Sequence, residues 1–236
     1  MGMKIKTAPC PHCKTLHAFE VCDTLSAIVR FTAIPLCDDC GEIQAATWRL
    51  NEKRKEWRRR FDAGVDPEYR IATPEEVIAR RHYIAALTWK ASDHHGGLGL
   101  VGTSGAGKSC AIACRIRTLE EPFVWWSGTE ARKKSTEAAT AEHDRAGALR
   151  QWEVGGKIPI LALDDLSQAI FTQAWSSRLF DLLETRLAAG LPTLWTSQLS
   201  PADLRAKIIR QNGGDTAQAD AISRRLCQHS LVIHSQ

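Results

Sequence analysis

Eight consecutive residues, Gly102-Thr103-Ser104-Gly105-Ala106-Gly107-Lys108-Ser109, fit G-x-x-x-x-G-K-[ST], the spacing that wraps a backbone around phosphate. The residue types explain why. Glycine lets the backbone approach phosphate oxygens where a side chain would clash. Backbone N–H groups and the positive end of a following helix converge on one point, and a triphosphate suits it. Lys108 would reach the β- and γ-phosphates, and Ser109 would place its hydroxyl on Mg²⁺. The cradle runs through Gly102, Thr103, Ser104, Gly105, Ala106, Gly107, Lys108, Ser109 and Cys110.

A second constellation completes such a site. Ile158 to Leu163 is an apolar run ending in Asp164-Asp165. A carboxylate at the carboxyl end of a buried strand reaches the metal through water, and Asp164 is the candidate. Asp165 stands where many ATPases keep a glutamate that polarises the attacking water. Alone, the pair would read as a buried strand capped by solvated acids. Downstream of the glycine loop, with strand and helix signals between, it reads as the acidic half of a nucleotide site.

Cys10-Pro11-His12-Cys13 and Cys37-Asp38-Asp39-Cys40 form C-x-x-C…C-x-x-C. Each pair is a knuckle that presents two thiolates to one tetrahedral Zn²⁺. A ribbon hairpin fits between the knuckles, with Phe19–Cys22 and Ala27–Thr32 as its strands. Gly41 follows the second knuckle, where a turn would ask for positive φ. Cys22, His12 and His17 are substitute ligands, and free or redox-active thiols are the alternative. The thiols of Cys110, Cys114 and Cys227 fall on helical or core positions and read as packing.

These motifs need elements to hold them. The 236 residues suffice for one α/β domain and a small appendage. The apolar share of 44% is that of a globular chain, so a sizeable core is expected. No apolar run reaches membrane-spanning length, and the amino terminus lacks a signal-peptide core. Met1-Gly2 opens like a myristoylation site, but Lys6 stands where that motif needs Ser or Thr. A net charge of +4 is too mild to argue for nucleic acid by itself. Eight cysteines beside a nucleotide site are expected as reduced thiols of a cytoplasmic protein.

Residues 1–61 are expected to form a zinc-binding module with a basic helix, 62–72 a linker and 73–236 the nucleotide domain. Ile43 to Phe61 places Ile43, Ala46, Leu50, Trp57 and Phe61 on one helical stripe. The other face carries Arg49, Lys53, Lys55, Arg58, Arg59 and Arg60 and could follow a phosphate backbone or dock on a protein. Asp62 to Ile71 is rich in turn residues. Thr73 caps a helix that opens with Pro74, Glu75 and Glu76 and runs to about Lys90. His94-His95 reads as part of a polar loop. Strands are expected at Gly97–Val101, Pro122–Ser127, Ile158–Leu163, Leu191–Ser197 and Ser230–His234. Helices are expected over Cys110–Leu119, Thr129–Arg150, Trp175–Ala189, from Ser200-Pro201, and over Thr216–Gln228, with Gln211–Asp215 as a loop. Such alternation means an α/β fold, a parallel sheet with helices on both faces. Ligands then sit at the carboxyl ends of the strands, where Gly102 and Asp164 fall.

From about Thr73 to Ile233 the chain resembles the DnaC/IstB-like branch of the AAA+ ATPases, the helicase loaders and transposition helper ATPases. The resemblance lies in GLVGTSGAGKS, ILALDDLS, LWTSQLSPADL and AISRRLCQHSLVI. It implies an AAA+-like P-loop NTPase that binds ATP and Mg²⁺ and assembles as an ATP-dependent homo-oligomer. Hydrolysis would be slow and stimulated by a partner. Gln198 would take the sensor position between the Asp164 strand and the γ-phosphate. Arg225 would be the arginine finger offered to a neighbouring subunit, with Arg224 as second choice. A bacterial or phage helicase loader would engage a replicative helicase, another replication protein or single-stranded DNA through its amino-terminal module. The alternatives are a transposition helper on duplex DNA and a nucleotide-binding zinc adaptor with little turnover. A small-molecule kinase would need a lid and an acceptor pocket, and the sequence offers neither. The chain departs from the family at Gln198, where asparagine is usual, and at GKS-C, where GKT-H is usual. With the sequence stopping at Gln236, no helical lid is expected.

Overall fold

A computed structural model describes residues 3–22, 36–80, 83–93, 96–140, 144–228 and 230–235. The expected strand at Ala27–Thr32 and the His94-His95 loop lie outside them. The chain divides into two units, Met1–Arg58 and Arg59–Gln236.

In the first unit, β1 (Met3–Pro9) pairs antiparallel with β2 (Leu16–Cys22), with Pro9 opposite Leu16. The hairpin therefore carries the first cysteine knuckle at its tip, and its second strand includes the expected Phe19–Cys22. The tip closes through Cys10 N–H to Thr15 O at 2.8 Å and Lys14 N–H to Cys10 O at 3.0 Å. The second knuckle opens α1 (Asp38–Gly64), whose first turn carries Asp38 and Asp39 at the positive helix end. Gly41 is inside that first turn, its N–H bonded to Cys37 O at 2.8 Å, and not at a positive-φ turn. Of the expected apolar stripe on α1, Ile43, Ala46 and Leu50 are exposed, Trp57 is half-buried and only Phe61 is buried.

In the second unit the helix does not yield to a bare linker. Beyond Gly64 come α2 (Pro67–Arg70), capped by Asp66, and α3 (Pro74–Arg80), with Val65 and Ala72 buried between them. Thr73 and Glu76 form a reciprocal capping box, 3.3 and 2.9 Å, at the start of α3. The helix expected from Thr73 to Lys90 is broken, and α4 (Ile84–Thr88) is separate. Tyr83, in non-helical backbone before α4, buries its phenol and donates to Val101 O at 3.1 Å. That bond to the sheet replaces helical continuity.

The sheet holds β3 (Gly97–Val101), followed by α5 (Lys108–Leu119) and β4 (Phe123–Ser127). The helical stretch expected over Thr129–Arg150 is two helices, α6 (Gly128–Thr140) and α7 (Arg145–Lys157). Then come β5 (Ile160–Asp164), α8 (Gln173–Ala188), β6 (Thr193–Ser197), α9 (Pro201–Gln211), α10 (Thr216–Cys227) and β7 (Ser230–His234). The order is β4-β5-β6-β3-β7 and every pairing is parallel. β3, β5 and β6 are buried at every residue. Successive strand side chains point to opposite faces, so unbroken burial means both faces are covered. No helix among the described residues is long and apolar enough to cross a membrane.

Tryptophans fill much of the core. Trp126 stacks on Trp152 with centroids 5.7 Å apart, and Trp152 meets Trp175 edge-on at 6.0 Å. Trp195 lies across β3, and a Cβ on Gly99 would come within 2.4 Å of its ring. Its indole N–H donates to Leu226 O at 3.0 Å, tying β6 to the end of α10.

One buried cation organises the end of the sheet opposite the nucleotide motifs. Arg186 on α8 is fully buried. Its Nε donates to Thr193 Oγ1 (3.1 Å), Nη1 to Gly155 O and Ile158 O (2.7 and 2.8 Å), and Nη2 to Pro159 O and Pro192 O (3.2 and 2.6 Å). All five donors of the fork are used. Burial pushes the guanidinium down to about 9, still charged at neutral pH. The side chain thus fixes the chain entering β5 and β6 at once. Arg186→Ala should cost about 3–5 kcal/mol in denaturant unfolding, because it leaves several buried carbonyls unpaired. Arg186→Lys, with charge but no fork, should fall between. A loss below about 1 kcal/mol for the alanine variant would mean that water replaces the fork.

Candidate functional site

The loop after β3 and the ends of β5 and β6 meet because β6 lies between β3 and β5. Val101 is level with Ser197, and Leu163 with Trp195. The next residues along, Gly102, Asp164 and Thr196, therefore arrive at one edge. Gly105 and Gly107 sit at φ +76° and +94°, which turns the loop into the first turn of α5. Gly102 N–H donates to Ser197 O at 3.1 Å and anchors the loop to β6.

The loop opens on a cavity of about 430 Å³ lined by Ser104, Gly105, Gly107, Lys108, Ser109, Cys110, Asp164, Asp165, Thr196, Gln198, Glu68 and Tyr69. Lys108 is buried, and its Nζ donates to Gly102 O at 2.8 Å and Thr103 O at 2.7 Å. Burial lowers its pKa, and the carboxylates of Asp165 and Asp164 oppose that shift. Asp164 is buried too, which raises its pKa, while hydrogen bonds from Thr196 and Ser109 draw it back. Ser109 Oγ and Thr196 Oγ1 each donate to Asp164 Oδ1 at 2.7 Å.

Asp165 takes a left-handed backbone, φ +47°, that turns its carboxylate into the cavity. Gln198 Nε2 donates to Asp165 Oδ2 at 2.9 Å, Ser167 Oγ donates to Oδ1, and Thr196 Oγ1 accepts the Asp165 N–H at 2.7 Å. The cavity can thus hold a polyphosphate on N–H groups and Lys108, and a divalent cation on Ser109 and Asp164. A second acid, Asp165, is left to orient water. Arg225 lies elsewhere in this chain. It is on α10, ion-paired with Glu184, with its guanidinium 4.3 Å from the Phe180 ring centroid. Arg224 is exposed.

Thr196, Ser167, Glu68 and Tyr69 complete the site without a role that motif spacing assigns. Thr196 sits inside an apolar strand and gains its role from β5 beside it. Ser167 is two residues past Asp165, and its hydroxyl also accepts Gln198 N–H at 3.0 Å. Glu68 and Tyr69 fall in the segment expected as a linker.

The cysteines form the second site. The Sγ atoms of Cys10, Cys13, Cys37 and Cys40 all lie within 4.8 Å of one another, and Cys13 and Cys37 are 3.6 Å apart. A tetrahedral zinc with bonds of about 2.3 Å sets its sulfurs roughly 3.8 Å apart, so the set fits. Burial raises the Cys10 thiol, but N–H bonds from Cys37, Cys13 and His12 bring it to about 6. The Cys13 and Cys37 sulfurs push Cys40 up to about 12. Four crowded thiols cannot all ionise without a cation among them. His12 Nδ1 is 3.7 Å from Cys40 Sγ, and His17 lies on β2 against Phe19; neither joins the four-sulfur group. The seven cysteines with described side chains are free thiols, and buried Cys114 donates to Ala72 O at 3.3 Å.

No protein-family model matches the sequence, and no curated protein matches it. Solved structures do. DnaI shares 19% identity at a TM-score of 0.56, over 72% of this chain and 94% of its own. DnaA from Aquifex aeolicus, bound to AMPPCP, shares 14% at a TM-score of 0.53, over 73% of this chain and 51% of its own. Domain III of the Thermotoga maritima replication initiation protein DnaA shares 15% at 0.52, over 73% of this chain and 68% of its own. This chain spans about half the length of the Aquifex structure it matches. With its five-stranded parallel sheet and glycine loop, beside an amino-terminal cysteine cluster, the chain has an AAA+-like P-loop fold similar to that of DnaI and DnaA.

Proposed function

We propose that this chain is an ATP-hydrolysing replication factor of the helicase-loader kind. It works in the cytoplasm as an ATP-dependent homo-oligomer, on a replicative helicase or other replication protein and on single-stranded DNA. The observation that carries the reading is the convergence of Lys108, Ser109, Asp164, Asp165 and Gln198 in one cavity of a fold like that of DnaI. One solved DnaA, at a TM-score of 0.52, is bound to AMPPCP and single-stranded DNA, which supports both ligand classes here.

In this reading residues Gly102 to Cys110 hold the phosphates with backbone N–H groups. Lys108 moves from the carbonyls of Gly102 and Thr103 to the β- and γ-phosphate oxygens. Ser109 and Asp164 would hold Mg²⁺, which would supply positive charge beside the phosphates. Asp165, steadied by Ser167 and Gln198, orients the attacking water. Cys10, Cys13, Cys37 and Cys40 hold a structural zinc. Exposed Arg49, Lys53 and Arg58 on α1 offer the amino-terminal module cations for a phosphate backbone. Arg225 is the finger for a neighbouring copy and must exchange Glu184 for that neighbour's phosphate. The present pairing of Arg225 with Glu184 and Phe180 favours a second reading, an adaptor that binds nucleotide with little turnover.

Three measurements test this. Lys108→Ala should weaken ATP binding by roughly tenfold or more, and Asp164→Ala should abolish Mg²⁺-dependent turnover with less effect on affinity. Equal ATP titrations for wild type and Lys108→Ala would refute the cradle. Elemental analysis should find about one zinc per chain, lost when Cys37 and Cys40 are both replaced by serine; zinc that survives that change is held elsewhere. Arg225→Ala should bind ATP yet lose turnover by roughly a thousandfold. Mixing it with Lys108→Ala protein should restore activity, since an intact cradle meets an intact arginine across an interface. No rescue on mixing assigns Arg225 to its own chain.

A further inference from the structure

Two walls of the phosphate cavity come from outside every motif: Glu68 and Tyr69 of α2. Their placement is not left to a loose connection. Asp66 caps α2 through Glu68 N–H at 3.2 Å, and Arg70 Nε closes on Val65 O at 2.6 Å. The helix that follows the glycine loop then grips this segment. From α5, Arg117 Nη1 donates to Ala72 O at 2.8 Å and Nη2 to Arg70 O. The Arg117 guanidinium lies 5.0 Å from the Phe61 ring centroid, and Cys114 Sγ donates to Ala72 O. The same helix carries Lys108 and Ser109 in its first turn. One rigid element therefore fixes Tyr69 and the cation-binding hydroxyl relative to each other.

Tyr69 lines the same cavity as Glu68, Ser109 and Asp164. Burial, with Glu68 and Asp164 adding to it, raises the pKa of its phenol. Its ring leans on Trp125 with centroids 6.1 Å apart, which limits its swing. A phenol in a cavity shared with Ser109, Asp164 and Glu68 could accept a hydrogen bond from a water on a bound cation and donate its own to Glu68. Partners of this outer kind orient ligands and tune metal affinity.

We propose that Tyr69, oriented by Glu68, is a positioning residue for the divalent cation that Ser109 and Asp164 hold with the nucleotide. The proposal rests on the reading of this cavity as a Mg–ATP site. It adds a contribution to that site from the segment directly after α1.

The test uses the full-length protein and a fluorescent ATP analogue, titrated in EDTA and across a Mg²⁺ series. Tyr69→Phe keeps the ring on Trp125 and removes only the hydroxyl. It should bind the analogue in EDTA as wild type does, yet need about tenfold more Mg²⁺ for half-maximal effect. At saturating Mg²⁺ its kcat should fall while KM for ATP holds. Glu68→Gln should shift the Mg²⁺ requirement in the same direction, and it carries the test should Tyr69→Phe not fold. A Mg²⁺ requirement within about twofold of wild type overturns the proposal, as does an equal loss of affinity with and without Mg²⁺, which marks mere packing. Wild-type protein that binds no analogue in either condition instead overturns the nucleotide reading itself.

Discussion

The nucleotide unit depends on one carboxylate being kept ionisable inside protein. Asp164 ends a strand that is buried along its whole length, where a bare charge is costly. Ser109 and Thr196 answer with two 2.7 Å hydrogen bonds to the same oxygen. Those donors come from a helix start and from a different strand. Both can arrive only if β6 separates β5 from β3 and the glycine loop delivers α5 above them. The strand order is thus a requirement of the site as much as of the core. The second carboxylate oxygen receives neither hydroxyl, and Asp164 lines the cavity that Lys108 and Ser109 share.

Two cations show how differently this fold treats positive charge. Arg186 spends every donor on four carbonyls and one hydroxyl, and no free valence remains for a ligand. Lys108 is also buried, but its two carbonyl partners belong to the glycine loop itself. An ammonium has no fixed fork, so it can trade carbonyls for phosphate oxygens with a small rotation of its stem. Burial lowers the pKa of both side chains. The rigid fork locks chain entry into β5 and β6, and the flexible point charge stays available at the opposite end of the same strands.

Legibility in the sequence followed the range of the interactions involved. The glycine loop, the Asp164 strand, the cap at Thr73 and the helix start at Ser200-Pro201 are local patterns. The strands at Gly97–Val101 and Ser230–His234 have the bounds that apolar run and flanking turn residues suggest. Thr196 looks like any β-branched strand residue until β5 is placed beside it. Tyr69 sits among turn residues, and only the Arg117 and Cys114 bonds from α5 bring it to Ser109. The break before α4 has the same origin, since a buried phenol bond to Val101 outweighs local helix preference. In the first unit the alternation through Met3–Pro9 was available to be read. The expected strand at Phe19–Cys22 falls within β2, paired with β1 ahead of Cys10, and the acids Asp38 and Asp39 at the positive end of α1 place Gly41 inside a helix.

In the proposed homo-oligomer, Arg225 would complete a site that one chain does not define. Its guanidinium is paired with Glu184 and stacked over Phe180, a partly buried arrangement stronger than a surface ion pair. A phosphate on a neighbouring copy must outbid a carboxylate and an aromatic face together. A triphosphate with developing transition-state charge does so more readily than a diphosphate, because charge-assisted bonds to the guanidinium strengthen with the charge they meet. The resting pair with Glu184 would then act as a threshold. On that proposal it would keep the arginine at home beside a diphosphate and release it toward a triphosphate, the asymmetry that an assembly switched by ATP would need.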